Sequence, residues 1–217
     1  MSFIPSQTAK QEALMEFAAL GQPDHLPLGM YLFPTEVFRW SGVISIHQGY
    51  YSGAVFHFTL TIPSTYPHSI PQITFDSPSV FHPLVDPVTG RMRLDSRFPN
   101  WRPRQDFIWT VLHFVKAAFK RRSLDDLRET LCANVEAYRL YREQTTLFAK
   151  LAAQSSALST SSSVLYSPPP SRTTEPNPSP IQFRKLENGE KEQLEKRVKE
   201  LALAKIVKRD EGRNGAR

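Results

Sequence analysis

The sequence has a single cysteine, Cys132, among its 217 residues, and this scarcity excludes several kinds of site. One thiol can form neither an internal disulfide nor a cysteine-based metal cluster. Long apolar runs are missing too, since none approaches the roughly 18 residues that span a bilayer, so we expect no direct membrane insertion. Together with the lack of a signal-like N-terminus, these absences predict a cytoplasmic protein in a reducing compartment.

Patterns typical of cofactor sites are equally scarce. The six histidines show no metal-ligand spacing, and the nine glycines form no phosphate-binding loop. We therefore expect neither a metal nor any other cofactor.

Positive charge is concentrated towards the C-terminal end of the chain. The net charge is +6; residues 1–153 contribute +2 (15 basic against 13 acidic), and residues 183–217 contribute +4 (11 against 7). A nucleic-acid footprint would be a concentrated basic patch with aromatic neighbours. Nucleic-acid binding is therefore a hypothesis that rests on charge alone, and we expect no nucleic-acid partner.

Composition divides the chain into three parts. Residues 7–153 show the hydrophobic periodicity of a folded core domain. Residues 154–182 are dominated by Ser, Pro and Thr, which cannot bury enough surface to offset ordering entropy, so they are predicted to form a disordered linker. Residues 183–217 form a charged tail with one marginal helix. That helix is either solvated or a docking helix that orders on a partner.

The core region predicts an α+β domain. An apolar stripe that includes Ala9, Ala13 and Leu14 predicts an N-terminal helix from Gln7, which ends at Gly21. Strand-like segments separated by short turns indicate a four-stranded antiparallel meander; they lie at residues 28–33, 37–47, 54–62 and 72–75. Two further helices, predicted at residues 106–120 and 135–153, should cover one face of this sheet.

A long irregular segment, residues 81–103, lies between the last predicted strand and the next helix. It contains four prolines and one glycine, Gly90, and shows almost no periodicity. Irregular segments of this length are uncommon inside compact domains and are often functional. We therefore take this central loop as the candidate functional site.

Several motifs resemble the ubiquitin-conjugating enzyme family in content and order. Residues 63–71 (Pro-Ser-Thr-Tyr-Pro-His-Ser-Ile-Pro) look like its Pro-x-x-Tyr-Pro-x-x-Pro-Pro signature, with Ile70 in place of the first of the paired prolines. The other matches are Trp40, residues 51–56, 81–83 (Phe-His-Pro), 101–103 (Trp-Arg-Pro) and 134–141 (Asn-Val-Glu-Ala-Tyr-Arg-Leu-Tyr). The resemblance covers residues 7–153 and implies that family's fold: an N-terminal helix, a four-stranded antiparallel meander, and C-terminal helices packed on the sheet.

Two departures from the family pattern bear on activity. The resemblance places the nucleophilic cysteine at Arg93, three residues after Gly90, and a guanidinium cannot be deprotonated to form a thioester. It places the oxyanion-stabilising asparagine at Leu84, whose aliphatic side chain donates no hydrogen bond. His82 is assigned a role in ordering the loop. The resemblance therefore implies a catalytically inactive variant rather than an enzyme.

Cys132 is not expected to replace the missing nucleophile. It lies just before the Asn134 helix cap, far along the chain from the central loop. We predict that it is a small buried hydrophobic side chain.

Among such variants, the chain resembles the fused-toes/AKT-interacting protein family. Residues 81–90 carry Leu84 and an extra residue before Gly90, as in that family, and Phe98 and residues 108–109 point the same way. The resemblance implies an adaptor in a complex with Hook-like and FHIP-like proteins, which links early endosomes and other vesicles to dynein. It also implies association with endosomes or microtubules through those partners. The alternative is a variant that binds ubiquitin weakly and non-covalently and assists an active conjugating enzyme.

Five arginines surround the former active site and are the candidate binding residues: Arg91, Arg93, Arg97, Arg102 and Arg104. Guanidinium groups at this density favour an acidic or phosphorylated partner. The alternative is a solvated loop whose charge is partly neutralised by Asp86, Asp95 and Asp106. Arginine at positions 102 and 104 also argues against ligase binding, because the family has small or aromatic residues there.

Overall fold

The computed structural model describes residues 7–76, 80–166, 181–187 and 189–200, which fall into two compact units within residues 1–182 and 183–217. The larger unit begins with one helix, continues with four strands and ends with a series of helices. In chain order these are α1 (Gln7–Ala19), β1 (Met30–Glu36), β2 (Arg39–Ser45), β3 (Val55–Thr61), β4 (Gln72–Phe75), α2 (Ile108–Ala118), α3 (Arg121–Asp125), a 3-10 turn (Glu129–Leu131), α4 (Val135–Glu143), α5 (Thr145–Ser159) and α6 (Ser162–Leu165). This order confirms the predicted α+β architecture.

The four strands form one antiparallel sheet in the order β1-β2-β3-β4, as the meander pattern predicts. Register places Ile44 opposite Phe56 and Leu60 opposite Ile73, and all four side chains are buried on the inner face. Gly42 lies opposite Phe58, and a Cβ on that glycine would come within 2.3 Å of the phenyl ring. The absence of a side chain at Gly42 therefore makes room for the ring in the core.

Helix α2 covers the inner face of the sheet. Its buried side chains are aliphatic: Ile108, Val111, Leu112, Val115 and Ala118. At its C-terminal cap, the Phe119 ring lies 5.5 Å from that of Phe56 and 5.9 Å from that of Phe75, in stacked and edge-on geometry. Aromatic pairs at these distances add to the stability that area burial provides, so the core is centred between α2 and the middle strands.

Helix α1 begins at Gln7 as predicted and ends at Ala19, two residues before Gly21, but its buried face differs from the prediction. Leu14, assigned to the apolar stripe, exposes 60% of its surface, whereas the charged Glu16 exposes 7%. Ala9 and Ala13 are buried as expected. The helix is therefore rotated so that Glu16 faces inward, where hydrogen bonds compensate its burial.

The predicted start of the linker at residue 154 is wrong, because helix α5 continues to Ser159. The hydroxyl oxygens of Ser155 and Ser159 accept hydrogen bonds from the backbone N–H groups of Phe81 (3.2 Å) and Val55 (3.0 Å). Serine signals disorder in composition, but these serines are buried and satisfy backbone donors. Residues 167–180, the rest of the predicted linker, lie outside the described residues.

In the smaller unit, residues 190–200 are helical. The Arg184 guanidinium donates to both carboxylate oxygens of Glu190 at 2.7 Å. Leu194 and Val198 expose 42% and 63% of their surfaces, so these apolar side chains of the helix are not buried. Residues 201–217, the remainder of the predicted charged tail, lie outside the described residues. In the described part of the chain, no helix has the length and hydropathy to cross a bilayer.

Candidate functional site

The central loop is tied to the edge of the sheet by backbone hydrogen bonds. The Met92 N–H donates to the carbonyl of Ile73 at 2.8 Å, and the Phe75 N–H donates to that of Gly90 at 2.9 Å. Val85 and Met92 also form a β-bridge with each other. The loop therefore has a fixed path, although its sequence has no strand periodicity.

A side-chain-capped turn sets the position of Gly90. One carboxylate oxygen of Asp86 accepts from the N–H of Val88 (3.0 Å), and from the N–H (2.7 Å) and hydroxyl (2.8 Å) of Thr89. Gly90 follows with φ of +72°, a conformation that glycine adopts without strain. The turn thus places residues 91–95 along the edge of β4.

His82 is a fully buried strut beneath the loop. Its Nδ1 accepts from the Leu84 N–H at 3.0 Å, and its Nε2 lies 3.1 Å from the Ala118 carbonyl at the end of α2. Burial lowers the pKa of His82 to about 4, so the ring is neutral at physiological pH. A neutral ring with both nitrogens bonded holds the loop against α2 and is not positioned as a general base.

Arg93 occupies the position that the resemblance assigns to the nucleophile, and its guanidinium is held on several sides. Its Nη2 lies 2.6 Å from the Asp95 carboxylate, and its Nε donates to the same oxygen at 3.1 Å. Its Nη1 donates to the carbonyls of Thr130 (3.1 Å) and Cys132 (3.5 Å). The side chain therefore bridges the central loop to the 3-10 turn and to the residue that follows it.

Leu84, the position assigned to the oxyanion donor, points into the protein interior. Its surface is 1% exposed, and its carbonyl accepts from the Arg93 N–H at 2.8 Å. The side chain lines the floor of a groove of about 540 Å³ with Phe114 and Leu127. An amide at this position would therefore be buried among apolar groups instead of facing a substrate.

Cys132 is buried as predicted, and the fold brings it beside Arg93 although it is far from the central loop along the chain. Both residues line a second groove, of about 600 Å³, and the Arg93 guanidinium contacts the Cys132 carbonyl. The thiol is 6% exposed and lies 3.3 Å from the Arg128 carbonyl. Burial raises its pKa to about 11, and the nearby Arg93 charge offsets this only in part. At neutral pH roughly one thiol in ten thousand is ionised.

Three of the five candidate arginines form ion pairs. Besides Arg93, Arg102 binds Asp106 at 2.9 Å, and Arg104 lies 3.4 Å from Glu12. Hydrogen bonding and charge from Arg102 hold the pKa of Asp106 below its usual range. Asp95 and Asp106 thus neutralise arginine charge, as in the predicted alternative of a loop with partly balanced charge. The sequence analysis did not predict the pair between Arg104 and Glu12.

The other two candidate arginines do not join these pairs. The Arg97 guanidinium lies 5.5 Å from the centre of the Phe98 ring, a cation–π distance. Arg91 is exposed and extends along β4, bridged to Thr74 through the backbone. The structure therefore does not gather the five guanidiniums into one anion pocket.

Glu16 forms a buried connection that sequence reasoning missed. One carboxylate oxygen accepts from the Tyr66 hydroxyl at 2.5 Å, and the other accepts from the Ile108 N–H, at the start of α2, at 3.1 Å. Nearby, the Trp101 indole donates to the Pro67 carbonyl at 2.7 Å. These bonds join α1, the Tyr-Pro turn and the end of the central loop to α2.

Each contact described around the central loop holds the loop in place or joins it to a neighbouring element. Within the described ranges, no group of three or more His, Cys, Asp or Glu side chains is placed to hold a metal ion. The nearest thiol is protonated, the central guanidinium is bound, and the histidine is buried. The surface here consists of a loop fixed by backbone hydrogen bonds and flanked by two grooves.

Comparison with known proteins links this geometry to a family. The family profile described as ubiquitin-conjugating enzyme matches residues 16–156. AKT-interacting protein from Xenopus tropicalis is 39% identical over 123 residues, which are 55% of this chain and 40% of that protein. The Danio rerio protein of that name is 40% identical over 124 residues, with the same coverage. Protein crossbronx homolog from Anopheles gambiae is 34% identical over 148 residues, 64% of each chain.

Proposed function

The chain belongs to the ubiquitin-conjugating enzyme family and is related to AKT-interacting proteins. Because the resemblance places Arg93 at the position of that family's nucleophile, we propose that the chain is a non-catalytic scaffold. The observation that carries this proposal is the bound state of Arg93. Its guanidinium contacts Asp95 and two backbone carbonyls, and thus helps to hold the domain together. A residue in that role stabilises a binding surface, and a guanidinium cannot form a thioester with ubiquitin.

Two further observations support the absence of catalysis. The Leu84 side chain lies in the interior and cannot stabilise a developing oxyanion. Cys132 lies close enough to invite a substitute role, but its buried thiol is protonated at neutral pH. The groove that contains Arg93 therefore lacks an activated nucleophile.

The proposed scaffold is an adaptor subunit with Hook-like and FHIP-like partners in a complex that links early endosomes or other vesicles to dynein. The resemblance to the fused-toes/AKT-interacting protein family motivates this assignment. The name of the relatives, AKT-interacting protein, describes a protein interaction of those proteins and supports a binding role here. The matched segment spans less than half of their length, so their partners enter only as part of this proposal.

Affinity capture from cytosol, with the full chain as bait, tests the adaptor role. We expect co-purification of long coiled-coil proteins of the Hook type in amounts comparable to the bait. If the central loop contributes to the interface, an Arg93→Ala variant should retain fewer partners than the wild type. Arg139→Ala is the matched control, because it also removes an ion-paired surface guanidinium, and it should behave as the wild type does. Capture limited to ubiquitin-pathway enzymes would contradict the proposal.

The second candidate function is non-covalent ubiquitin binding in support of an active conjugating enzyme. The observation that favours it lies on the outer face of β1, where Tyr31 and Phe33 are 63% and 50% exposed. Exposed aromatic side chains on a sheet face suit a protein contact. Titration of isotope-labelled ubiquitin should then give discrete NMR shifts that disappear with Tyr31→Ser, and a spectrum unchanged by the full chain would reject this function.

A further inference from the structure

Cationic side chains gather where helix α2 ends and α3 begins. Lys120, Arg121 and Arg122 are exposed, and Lys116 lies in the last turn of α2, two residues before that helix ends at Ala118. Burial, and then the nearby charge of Lys120, lower the pKa of Lys116. The end of α2 therefore carries crowded positive charge.

Leu28 projects next to this charge. The residue exposes 91% of its surface, and its carbonyl accepts a hydrogen bond from the Lys116 ammonium. The following residue, Gly29, has φ of +74°, and a Cβ there would lie 3.2 Å from Lys116 Nζ and 3.4 Å from His47 Nε2. The leucine is therefore held at a loop tip with a cation and an imidazole beside it.

The hairpin loop between β2 and β3 makes this surface continuous from Leu28 to α3. At the start of this loop, His47 lies close to the Leu28–Gly29 turn, since its Nε2 would be 3.4 Å from a Cβ at Gly29. A Cβ on Gly49 would lie 3.7 Å from the Phe119 carbonyl, at the end of α2. Tyr50 packs edge-on against Tyr141 at 6.0 Å, and the Tyr141 hydroxyl bonds to Asp125 of α3. We call the area from Leu28 through Lys116 and Lys120 to Arg122 the basic face.

Little of the positive charge on the basic face is neutralised. Asp125 lies 4.0 Å from Arg121, and both side chains are largely exposed, at 50% and 75%. An exposed pair at that distance is weak. Lys120 and Arg122 form no ion pair with any residue that the structure describes. The basic face thus keeps cations that are free to contact anions.

We propose that the basic face docks on an anionic lipid bilayer, with Leu28 entering the interface between the headgroups. Anionic headgroups attract Lys and Arg side chains near the surface, and a protruding apolar side chain adds burial at the acyl boundary. A single projecting leucine flanked by cations matches the layered chemistry of an anionic bilayer, in which charged headgroups lie outside the acyl chains. This docking is peripheral, and it is independent of the absence of catalysis and of the adaptor role.

Flotation of the full chain with vesicles tests the proposal. We expect binding to phosphatidylcholine vesicles that contain about one quarter phosphatidylserine, none to phosphatidylcholine alone, and loss of binding at about 0.5 M salt. The double variant Lys120→Glu/Arg122→Glu should lower partitioning at least about tenfold, since each cation contributes about fivefold. Leu28→Ser should lower it about threefold or more with an unchanged salt dependence.

Matched variants separate the basic face from the basic tail, which also carries net positive charge. The double variant Lys191→Glu/Lys196→Glu makes the same charge change in the tail. Leu158→Ser removes another exposed leucine, whose surface is 44% exposed. Both variants should bind vesicles as the wild type does. Circular dichroism should show the same fold for all variants. The proposal is overturned if Lys120→Glu/Arg122→Glu binds like wild type, if the tail variant loses as much binding, or if an acidic peptide binds and vesicles do not.

Discussion

Arg93 stands where the resemblance assigns the nucleophile, and its side chain makes structural contacts there. A cysteine at the mouth of a groove must be ionised and accessible to react. The Arg93 guanidinium instead joins Asp95 to the carbonyls of Thr130 and Cys132, and so ties the central loop to the 3-10 turn and the residue after it. Restoring the thiol would remove these contacts without supplying the other requirements of transfer.

Arg93→Cys alone should therefore transfer no ubiquitin to lysine. Leu84 offers no amide to a developing oxyanion, and the resemblance places an extra residue before Gly90, in the turn that sets the path of the loop. Discharge assays with activating enzyme, ATP and ubiquitin measure this, with an active conjugating enzyme as positive control. Arg91→Cys, which places a thiol on the same exposed edge, is the matched variant, and transfer above its level would reject this account of the site.

Leu84→Asn should destabilise the domain by about 2–4 kcal/mol, because it replaces a buried apolar side chain with an amide that needs hydrogen bonds. Urea unfolding of the full chain measures the change. Leu84→Met, which keeps the site apolar, should cost less than about 1.5 kcal/mol. Equal stability of Leu84→Asn and wild type would show that position 84 can turn to the surface.

At the scale of elements, α1 and α2 are joined through one buried carboxylate. Glu16 accepts from Tyr66 and from the first N–H of α2, a place where negative charge is favourable. Burial nevertheless raises the pKa of Glu16 above its usual value, and the two hydrogen bonds oppose that shift. The protonated form is thus favoured more in the folded state than in the unfolded chain.

Glu16→Gln should make the stability difference between variant and wild type depend on pH. The contribution of the protonated Glu16 is present below the ordinary carboxyl pKa and is lost as pH rises through the raised pKa, whereas glutamine does not titrate. The free energy of unfolding of wild type relative to Glu16→Gln should therefore fall from acidic to neutral pH. Glu16→Ala should lose about 1–3 kcal/mol. A pH-independent difference for Glu16→Gln would contradict the burial of this charge.

Elements that depend on local pattern could be predicted from the sequence, and contacts across the fold could not. The meander follows from alternation and turn residues, and both survive in a single sequence. Cys132 and Arg93 are 39 positions apart, and only the fold brings them together. Glu16 interrupts an apolar stripe, so a hydrophobic pattern places it outside, because the compensating Tyr66 hydroxyl and Ile108 N–H lie on other elements.

The whole molecule combines a compact domain with a separate charged unit. Composition placed the end of the core domain too early, at residue 153. Serine is typical of disordered segments, but in α5 its hydroxyl groups satisfy backbone donors. Ser155 and Ser159 hold the start of the central loop and of β3. Helix α5 therefore helps to hold the same loop that carries the candidate site.

A chain that ends after residue 153 should be less stable than one that ends after residue 166, by about 2–5 kcal/mol. The shorter chain leaves the Phe81 and Val55 N–H groups without their serine acceptors. Thermal unfolding of the two chains measures the difference, and Ser155→Ala/Ser159→Ala in the full chain should lose part of the same amount. Equal stability of the two chains would place the domain boundary at residue 153 after all.

The central claim, that this member of the ubiquitin-conjugating enzyme family has no catalytic centre, is tested most directly by charging the full chain with ubiquitin. The protein is incubated with activating enzyme, ATP and ubiquitin, and intact-protein mass spectrometry is run without reductant, beside Cys132→Ser. The buried, protonated thiol of Cys132 and the bound guanidinium of Arg93 predict no adduct on either protein. A reductant-sensitive ubiquitin adduct that forms on the wild type and is absent from Cys132→Ser would contradict the claim.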